Sequence, residues 1–427
     1  MSTRLQEGQT TARTLRSSLD RSLQVQVNAI LERQISRLRG NGINHAAVIV
    51  LDVASGQVLA YAGNAQPRVS RRGPGPDGPA TRDGEGTSGD WSDMVFAARS
   101  TGSLLKPFLY VGQLESGELL PAQLVADIPT RFSGFFPENN TRSYAGAVPA
   151  DIALARSLNV PAVRNLRSYG LHRFYDLLKT LGMGTLFRPA DLYGLPLVIG
   201  GAEGNLWELT HLYADMARQL LPDGRAARWG DWPPPGSHRV AGAGNGAAYP
   251  FSPAAVFLTL KALTRVERPE EEGAWDSFLS SRLVAWKTGT SYGFRDAWAI
   301  GVNDRFAVGI WAGNASGESR PELRGYAVAA PLLFAVLNAL PASGWFASPP
   351  DLVGVDTCAD SGYLAGPDCV RRVRAVVPPR GSASQVCPYC RIIHLDQSGR
   401  WQVDAGMVPL SGMRTERRFV LPPHLEW

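Results

Sequence analysis

The sequence predicts an α+β fold in which an antiparallel sheet packs between helices. Runs rich in β-branched and aromatic residues occur at residues 45–63 and 282–314, near the two ends of the main body of the chain. Residues 150–222 between them show a mostly helical pattern. Because this helical stretch separates the β-rich runs, we expect one sheet that brings distant segments together.

The composition is that of an ordinary globular protein, with 44% hydrophobic and 19% charged residues in a chain of 427. Single cores stop growing at about 250–300 residues, so more than one module is expected. The net charge is +5, but no basic run is interleaved with aromatic residues, and we expect no nucleic-acid partner. We also expect no transmembrane segment and no signal peptide, since the chain lacks an apolar run of about eighteen residues and its N-terminus lacks an apolar core.

The first predicted elements are a helix and a hairpin. Residues 18–39 carry apolar residues at helical spacing behind a serine and an aspartate that could cap the helix: Leu23, Val27, Ile30, Leu31, Ile35 and Leu38. Residues 45–63 form two β-rich runs around an Ala-Ser-Gly turn. Residues 64–90 are rich in glycine, proline and charge and predict a long mobile loop, and residues 229–250 predict a second irregular segment.

The remaining elements divide the chain. Residues 282–290 and 295–314 predict three strands, the last two joined by a tight turn at Asn303 and Asp304. All the cysteines lie in the last seventy residues: Cys358, Cys369, Cys387 and Cys390. We therefore predict an N-terminal linker and helix at 1–42, a main domain at 43–345 and a cysteine-bearing extension at 346–427.

The pair Ser103 and Lys106 is the first chemical motif. Only four of the 43 basic residues are lysines, and lysine, unlike arginine, can lose its proton when it is buried. In a helix beginning near Gly102, residues three apart share a face, so a neutral Lys106 could take the proton of Ser103. Burial beside another cation would lower the pKa of the lysine enough for this. Alone, the motif fits a helix start with a snorkelling lysine better than an active site.

Two further motifs follow in order. Ser157 and Asn159 form the only S-x-N of the chain, where they could relay a proton and hold an amide, or form a polar turn before a helix opening at Pro161. Residues 287–290, Lys-Thr-Gly-Thr, could line a strand edge that suits an extended peptide ending in a carboxylate, or could end a strand with a solvated lysine. Gly289 would let a ligand approach the backbone. Each motif occurs once and two of the four lysines lie in them, which favours one shared active site.

The three motifs resemble those of the penicilloyl-serine transferase family. Their flanks, RSTGSLLKPFLY, SLNVPAV, GGAEGNLWELTHLYADMA and KTGTSYGFRDAWAIGV, resemble the transpeptidase domain of class A penicillin-binding proteins of the 1C type. The resemblance runs from about residue 14 to the end, and TCADSGYLAGPDC with CPYCRIIHLD resembles the segment after that domain. It implies a penicillin-binding, β-lactamase-like transpeptidase fold.

The resemblance also implies roles. Ser103 would be the acylated nucleophile, Lys106 its base and Ser157 part of a proton relay. The substrate-binding residues would be Asn159, Lys287, Thr288, Gly289 and Thr290. The N–H groups of Ser103 and Thr290 would form an oxyanion hole. A D-Ala-D-Ala stem peptide would acylate the serine and release D-alanine, a neighbouring stem's amine would complete the cross-link, and β-lactams would trap the same serine.

The sequence departs from the family in three respects. Complete members carry a membrane anchor and a glycosyltransferase domain before the transpeptidase and a further domain after it, so we expect a fragment or the product of a split gene. Candidate partners are then a separate glycosyltransferase and other cell-wall synthesis proteins. The expected location is the periplasm, with association to the inner membrane if a missing N-terminal part supplies the anchor. Catalysis needs no cofactor. The family usually has histidine where this chain has Cys390, and the four cysteines could bind a structural zinc or form two disulfides, alternatives that stay open here.

Two other functions are alternatives to the transpeptidase hypothesis. A serine β-lactamase would need a base for the deacylating water, and Glu203 is the one candidate, although its surroundings favour a structural role. A non-catalytic β-lactam sensor or assembly scaffold would keep the fold without efficient cross-linking. The intact motifs favour the transpeptidase.

Overall fold

The computed structural model describes residues 17–65, 92–222, 248–268 and 283–426. The loop predicted at 64–90 and the irregular segment predicted at 229–250 lie almost entirely outside the described residues. The helices are α1 (Arg21–Leu38), α2 (Lys106–Ser116), α3 (Ala150–Ala155), α4 (Asn159–Tyr169), α5 (Leu171–Thr180), α6 (Ala190–Tyr193), α7 (Leu206–Gln219), α8 (Pro253–Leu263) and α9 (Ala330–Ala339). The strands are β1 (His45–Asp52), β2 (Val58–Ala62), β3 (Arg99–Ser100), β4 (Leu124–Asp127), β5 (Gly146–Pro149), β6 (Glu203–Gly204), β7 (Ala285–Thr290), β8 (Asp296–Val302), β9 (Phe306–Gly313), β10 (Val353–Cys358), β11 (Arg372–Val377), β12 (Cys390–Leu395) and β13 (Arg414–Phe419).

The chain divides into two compact units that interleave along the sequence. The first comprises Met1–Lys106, Gly170–Tyr249 and Val266–Ala347. The second comprises Pro107–Tyr169, Pro250–Arg265 and Ser348–Trp427.

The first unit is built around an antiparallel sheet. Within its described residues five strands pair in the order β2-β1-β9-β8-β7. β1 pairs with β9 along its whole length, from His45 opposite Gly313 to Asp52 opposite Phe306. The Asn303 side chain accepts the N–H groups of Arg305 and Phe306, at 2.9 and 2.8 Å, and closes the turn between β8 and β9. The predicted pairing of distant β-rich runs is confirmed.

Helices cover both faces of this sheet. α1 begins at the cap Asp20, whose side chain accepts the Leu23 N–H, and buries the predicted apolar stripe against one face. α9 packs on the same face, where Phe334 meets Trp286 of β7 edge to face at 5.1 Å. α7 packs on the other face, where a Cβ on Gly309 would collide with Thr210. The sheet therefore lies between helices, as the fold class predicts.

The second unit contains α2, α3, α4 and α8, the pair β4–β5 and two hairpins, β10–β11 and β12–β13. The Glu115 carboxylate at the end of α2 accepts the backbone N–H and the hydroxyl of Ser252, the cap of α8, at 2.7 and 2.6 Å. Leu124 of β4 donates its N–H to the Ser361 carbonyl at 2.9 Å, which ties the cysteine-bearing tail to the strand pair. In the described ranges of both units, no helix is both long enough and apolar enough to span a bilayer.

Candidate active site

Ser103 lies in a tight turn that ends in the first residue of α2. Residues 102–105 form the turn, and the Lys106 N–H donates to the Ser103 carbonyl at 3.3 Å. The helix was predicted to begin near Gly102, but it begins four residues later. Gly102 has φ +53°, a left-handed conformation that an α-helix cannot contain. Ser103 and Lys106 nevertheless stay one turn apart.

This turn packs directly on β7. A Cβ placed on Gly102 would lie 2.5 Å from the Thr290 nitrogen, and one placed on Gly289 would lie 2.7 Å from the Thr101 carbonyl oxygen. Both positions therefore admit only glycine. The missing side chain at Gly289 lets the chain around Ser103 pack on this face of β7, and its role in ligand binding stays a prediction.

Neighbouring elements fix the turn from further sides. The Tyr213 hydroxyl of α7 donates to the Leu104 carbonyl at 2.8 Å, and burial raises the pKa of Tyr213 well above its ordinary value, so it stays a protonated donor. The Trp298 Nε1 of β8 donates to the Ser100 carbonyl at 2.8 Å. The Thr101 N–H donates to the Ala202 carbonyl at 3.0 Å. The backbone around Ser103 is thus held by side chains that no motif identified.

Lys106 and Lys287 are both buried, with 3% and 1% of their surface exposed. Burial lowers the pKa of Lys287 to about 7. Burial, and then the positive charge of Lys287, lower the pKa of Lys106 well below its ordinary value. Lys179 and Lys261, the remaining lysines, are exposed. Burial therefore favours the neutral form of both motif lysines.

β7 presents the K-T-G residues on two faces. Lys287 and Gly289 share one face with the Ser103 turn, since alternate residues of a strand point the same way. Thr288 and Thr290 lie on the other, where the Thr290 Oγ1 accepts the Gly325 N–H at 2.9 Å. In the described part of the sheet, β7 pairs with β8 alone and so forms an edge. A peptide in extended conformation can add to such an edge.

Ser157 belongs to the second unit and ends α3. It has φ +57°, the left-handed conformation that helix ends usually assign to glycine. Its N–H donates to the Leu154 carbonyl and the Leu158 N–H to the Ala153 carbonyl, both at 3.0 Å. A serine held in this conformation costs on the order of 1–2 kcal/mol, which marks the position as one where the side chain matters.

Asn159 opens α4 and is positioned by a network that sequence reasoning missed. The Asn139 Oδ1 accepts the N–H groups of Asn159 and Val160 at 2.8 and 3.3 Å, and the Asn139 amide donates to the buried Asp127 at 2.7 Å. The Asn159 amide donates to the Glu138 carbonyl at 2.8 Å. The helix begins two residues before the predicted Pro161, because the Asn139 side chain caps it there.

Glu203, the residue considered as a β-lactamase base, lies on β6, which pairs with β3. Its carboxylate forms an ion pair with Arg188. It also lines a cleft of about 410 Å³ together with Ser100, Ser291 and Arg295. The ion pair gives Glu203 a structural partner, in keeping with the role its surroundings suggested.

The first unit thus brings together Ser103, Lys106 and the K-T-G strand, and the second holds Ser157 and Asn159. An antiparallel sheet lies between helices, and its edge strand β7 packs against the serine turn. Residues 46–218 match the family described as the penicillin binding protein transpeptidase domain. The predicted fold is confirmed.

Two solved structures share this fold. One is the penicillin-binding protein PonA1 from Mycobacterium tuberculosis, with a TM-score of 0.58 at 19% identity over 79% of this chain and 87% of that one. The other is penicillin-binding protein 1A from Haemophilus influenzae, with a TM-score of 0.55 at 18% identity over 78% of this chain and 53% of that one.

Among curated proteins, the chain is similar to penicillin-binding protein 1C of Escherichia coli. The two are 37% identical over 249 residues, which cover 58% of this chain and 30% of that protein. Penicillin-binding protein 1B of Vibrio cholerae is 27% identical over 296 residues, 66% of this chain and 34% of that protein. The chain spans about a third of the length of these relatives.

Proposed function

We propose that this chain is a peptidoglycan DD-transpeptidase that forms peptide cross-links through an acyl-serine intermediate, with its domain at residues 43–345. The observation that carries the proposal is the buried Lys106, one turn from Ser103 and beside the charge of Lys287. A lysine with a strongly lowered pKa can be neutral at physiological pH, as a general base must be. The match of residues 46–218 to a penicillin-binding transpeptidase domain supports the same reaction.

Acylation starts when Lys106 accepts the Ser103 hydroxyl proton. The serine oxygen attacks the carbonyl carbon between the two D-alanines of a stem peptide, and the tetrahedral intermediate places negative charge on the carbonyl oxygen. The Ser103 and Thr290 N–H groups stabilise that charge, a role supported by the close approach of the turn to the Thr290 backbone. The C–N bond breaks, the amine takes up the proton, and D-alanine leaves.

Cross-linking reverses these proton movements. The amine of a neighbouring stem attacks the acyl-serine carbonyl, loses a proton to Lys106, and forms the new amide. The C–O bond breaks and Ser103 regains its proton. No redox step or external group is needed, so we propose that the reaction requires no cofactor.

The donor peptide is proposed to lie along the β7 edge. Thr288 and Thr290 would bind it by hydrogen bonds, Gly289 would contribute backbone, and Lys287 would attract its carboxylate. Ser157 would relay protons and Asn159 would hold the peptide, as the family resemblance implies. The left-handed Ser157 and the capped start of α4 support fixed positions for these two side chains.

The proposed partners are stem peptides, β-lactams and a separate glycosyltransferase with other cell-wall synthesis proteins, in the periplasm. A structure of PonA1 from Mycobacterium tuberculosis contains penicillin V, which supports β-lactams as ligands of this fold. The ion pair of Glu203 with Arg188 favours the transpeptidase over a β-lactamase.

The test is the intact mass of the purified chain after incubation with benzylpenicillin. We expect a long-lived adduct on the wild type and on the control S116A, and none on S103A. Rapid hydrolysis of the drug without an accumulated adduct would indicate a β-lactamase. If the folded wild type forms no adduct and hydrolyses no drug, the proposal is wrong and a scaffold role gains support.

A further inference from the structure

The four cysteines converge on one point of the second unit. Cys358 is the last residue of β10, and Cys369 lies in the loop that leads to β11. Cys387 and Cys390 flank the turn that opens β12. All four Sγ atoms lie within 4.8 Å of one another, and those of Cys358 and Cys390 are 3.6 Å apart. Segments that are far apart in sequence therefore present their sulfurs to a common centre.

This spacing separates the two alternatives that the sequence left open. Four sulfurs bound at about 2.3 Å to a tetrahedral zinc lie about 3.8 Å from one another. A disulfide needs about 2.05 Å between its sulfurs, so two disulfides would group them into two close pairs. None of the four described cysteines is disulfide-bonded. One group of four sulfurs, each near the other three, is the arrangement of a single metal site.

Hydrogen-bond donors point at the sulfurs. The Ser361 hydroxyl donates to Cys387 Sγ at 3.1 Å, and the Gly366 N–H donates to Cys369 Sγ at 3.3 Å. Donors of this kind stabilise thiolates and orient metal ligands, whereas a neutral sulfur accepts only weakly.

The apolar core around the cluster is small. The buried apolar group there consists of three of the cysteines and Tyr363, with Ala365, Tyr389 and Cys390 packed against it. Val370, Val373 and Val376 around β11 are exposed. Short hairpins with so small a core usually depend on a cross-link or a metal.

We propose that Cys358, Cys369, Cys387 and Cys390 bind one structural zinc ion, which fastens the β10–β11 hairpin to the start of β12. Four protein ligands close the coordination sphere, so the site has no open position for a substrate and its role is structural. Three of the ligands are buried and Cys390 is half-buried, which limits exchange with solvent. The proposal does not depend on the transpeptidase activity.

The experiment uses the full chain, purified without chelator or added reductant. Native mass spectrometry should find one zinc per chain. Denaturation with an alkylating agent, without reductant, should then modify all four cysteines. If the protein instead lacks zinc and resists alkylation because it holds two disulfides, the proposal is overturned.

Two further measurements keep the test independent of variant folding. Exchange of the wild type with cobalt(II) chloride should produce the visible bands of tetrahedral cobalt and a thiolate charge-transfer band in the near ultraviolet. Absence of these bands in a zinc-containing protein would place the metal elsewhere. The double variant C387S/C390S should lose the zinc, whereas S382A, a nearby exposed serine, should retain it. If C387S/C390S retains as much zinc as S382A, the four cysteines are not the zinc ligands.

Discussion

The turns that carry Ser103 and Ser157 both include a residue in the left-handed conformation, but they place it differently. In the first, Gly102 takes φ +53° and the serine follows it. In the second, the serine itself takes φ +57°. The first turn packs against the backbone of β7. The second is a helix end that is stabilised by hydrogen bonds to the carbonyl groups of its own helix.

The difference shows two ways to fix a reactive side chain. The Ser103 turn is defined by packing, since there is no room for a Cβ at Gly102. The Ser157 turn keeps a conformation that a glycine would adopt more easily, which makes sense if the hydroxyl is needed. The first solution should therefore be sensitive to added atoms, and the second to the loss of the hydroxyl.

The largest effect is expected when Lys106, the proposed base, is replaced. K106M keeps the length and apolar stem of the side chain but removes the amine. We expect acylation by benzylpenicillin to slow by about 10²–10⁴-fold, the usual contribution of a general base. The control is K261M, which removes an exposed lysine. Equal acylation rates for K106M and wild type would remove Lys106 from the mechanism.

A methyl group at Gly102 tests whether packing defines the first turn. In G102A, the Cβ would lie 2.5 Å from the Thr290 nitrogen, so we expect a loss of about 3 kcal/mol or more in stability, measured as a fall in Tm, together with loss of acylation. G134A is the matched control, since Gly134 has φ +92° but no atom within 4 Å of an added Cβ. Backbone strain alone would make the two variants equal, contrary to this prediction.

The Asn139 network tests how the second turn is supported. N139A leaves the N–H groups of Asn159 and Val160 without their acceptor and removes one of the donors to Asp127, at a cost of about 1–3 kcal/mol. We expect acylation to slow by about tenfold, which corresponds to an increase of about 1.4 kcal/mol in the activation free energy. D20A removes the cap of α1 and should lower Tm without slowing acylation. If N139A loses stability but keeps the wild-type acylation rate, the Asn139 hydrogen bonds support the fold and not the reaction.

The charge of Lys287 should shift the pH profile of acylation. If Lys106 is the base, as proposed, its neutral form is the active one, and the rate should rise with pH through the lowered pKa of Lys106 and then level off. K287Q removes the charge that helps to lower this pKa, so the rising limb should move to higher pH. The difference should be largest below about pH 7, where Lys287 is itself charged. If K287Q weakens binding of the β-lactam but leaves the pH profile unchanged, Lys287 acts only in substrate binding. The control is K261Q, which removes the charge of an exposed lysine.

The smallest expected difference is between two variants of Ser157. S157G and S157A both remove the hydroxyl and should both acylate slowly. S157G should be more stable than S157A by about 1 kcal/mol, because glycine adopts the left-handed conformation without strain. Thermal unfolding measures this difference. Equal stabilities would mean that the second turn stores no strain.

The sequence predicted the sheet, the first helix and the motif residues because these leave periodic or local patterns. Asn139 and Tyr213 left none. Asn139 lies 20 residues before Asn159, and Tyr213 lies 109 residues after Leu104, so each becomes meaningful only when the fold brings them together. The start of α4 was misplaced at Pro161 for the same reason, since the distant Asn139 caps the helix at Asn159.

The distribution of the four lysines has a practical consequence. Lys106 and Lys287 are buried, whereas Lys179 on α5 and Lys261 on α8 are exposed. Amine-directed dyes, surface-coupling reagents and cross-linkers should therefore react at α5 and α8 and spare the lysines of the candidate site. The protein can be immobilised or labelled through its side-chain amines with little risk of blocking the chemistry that one of those amines is proposed to perform.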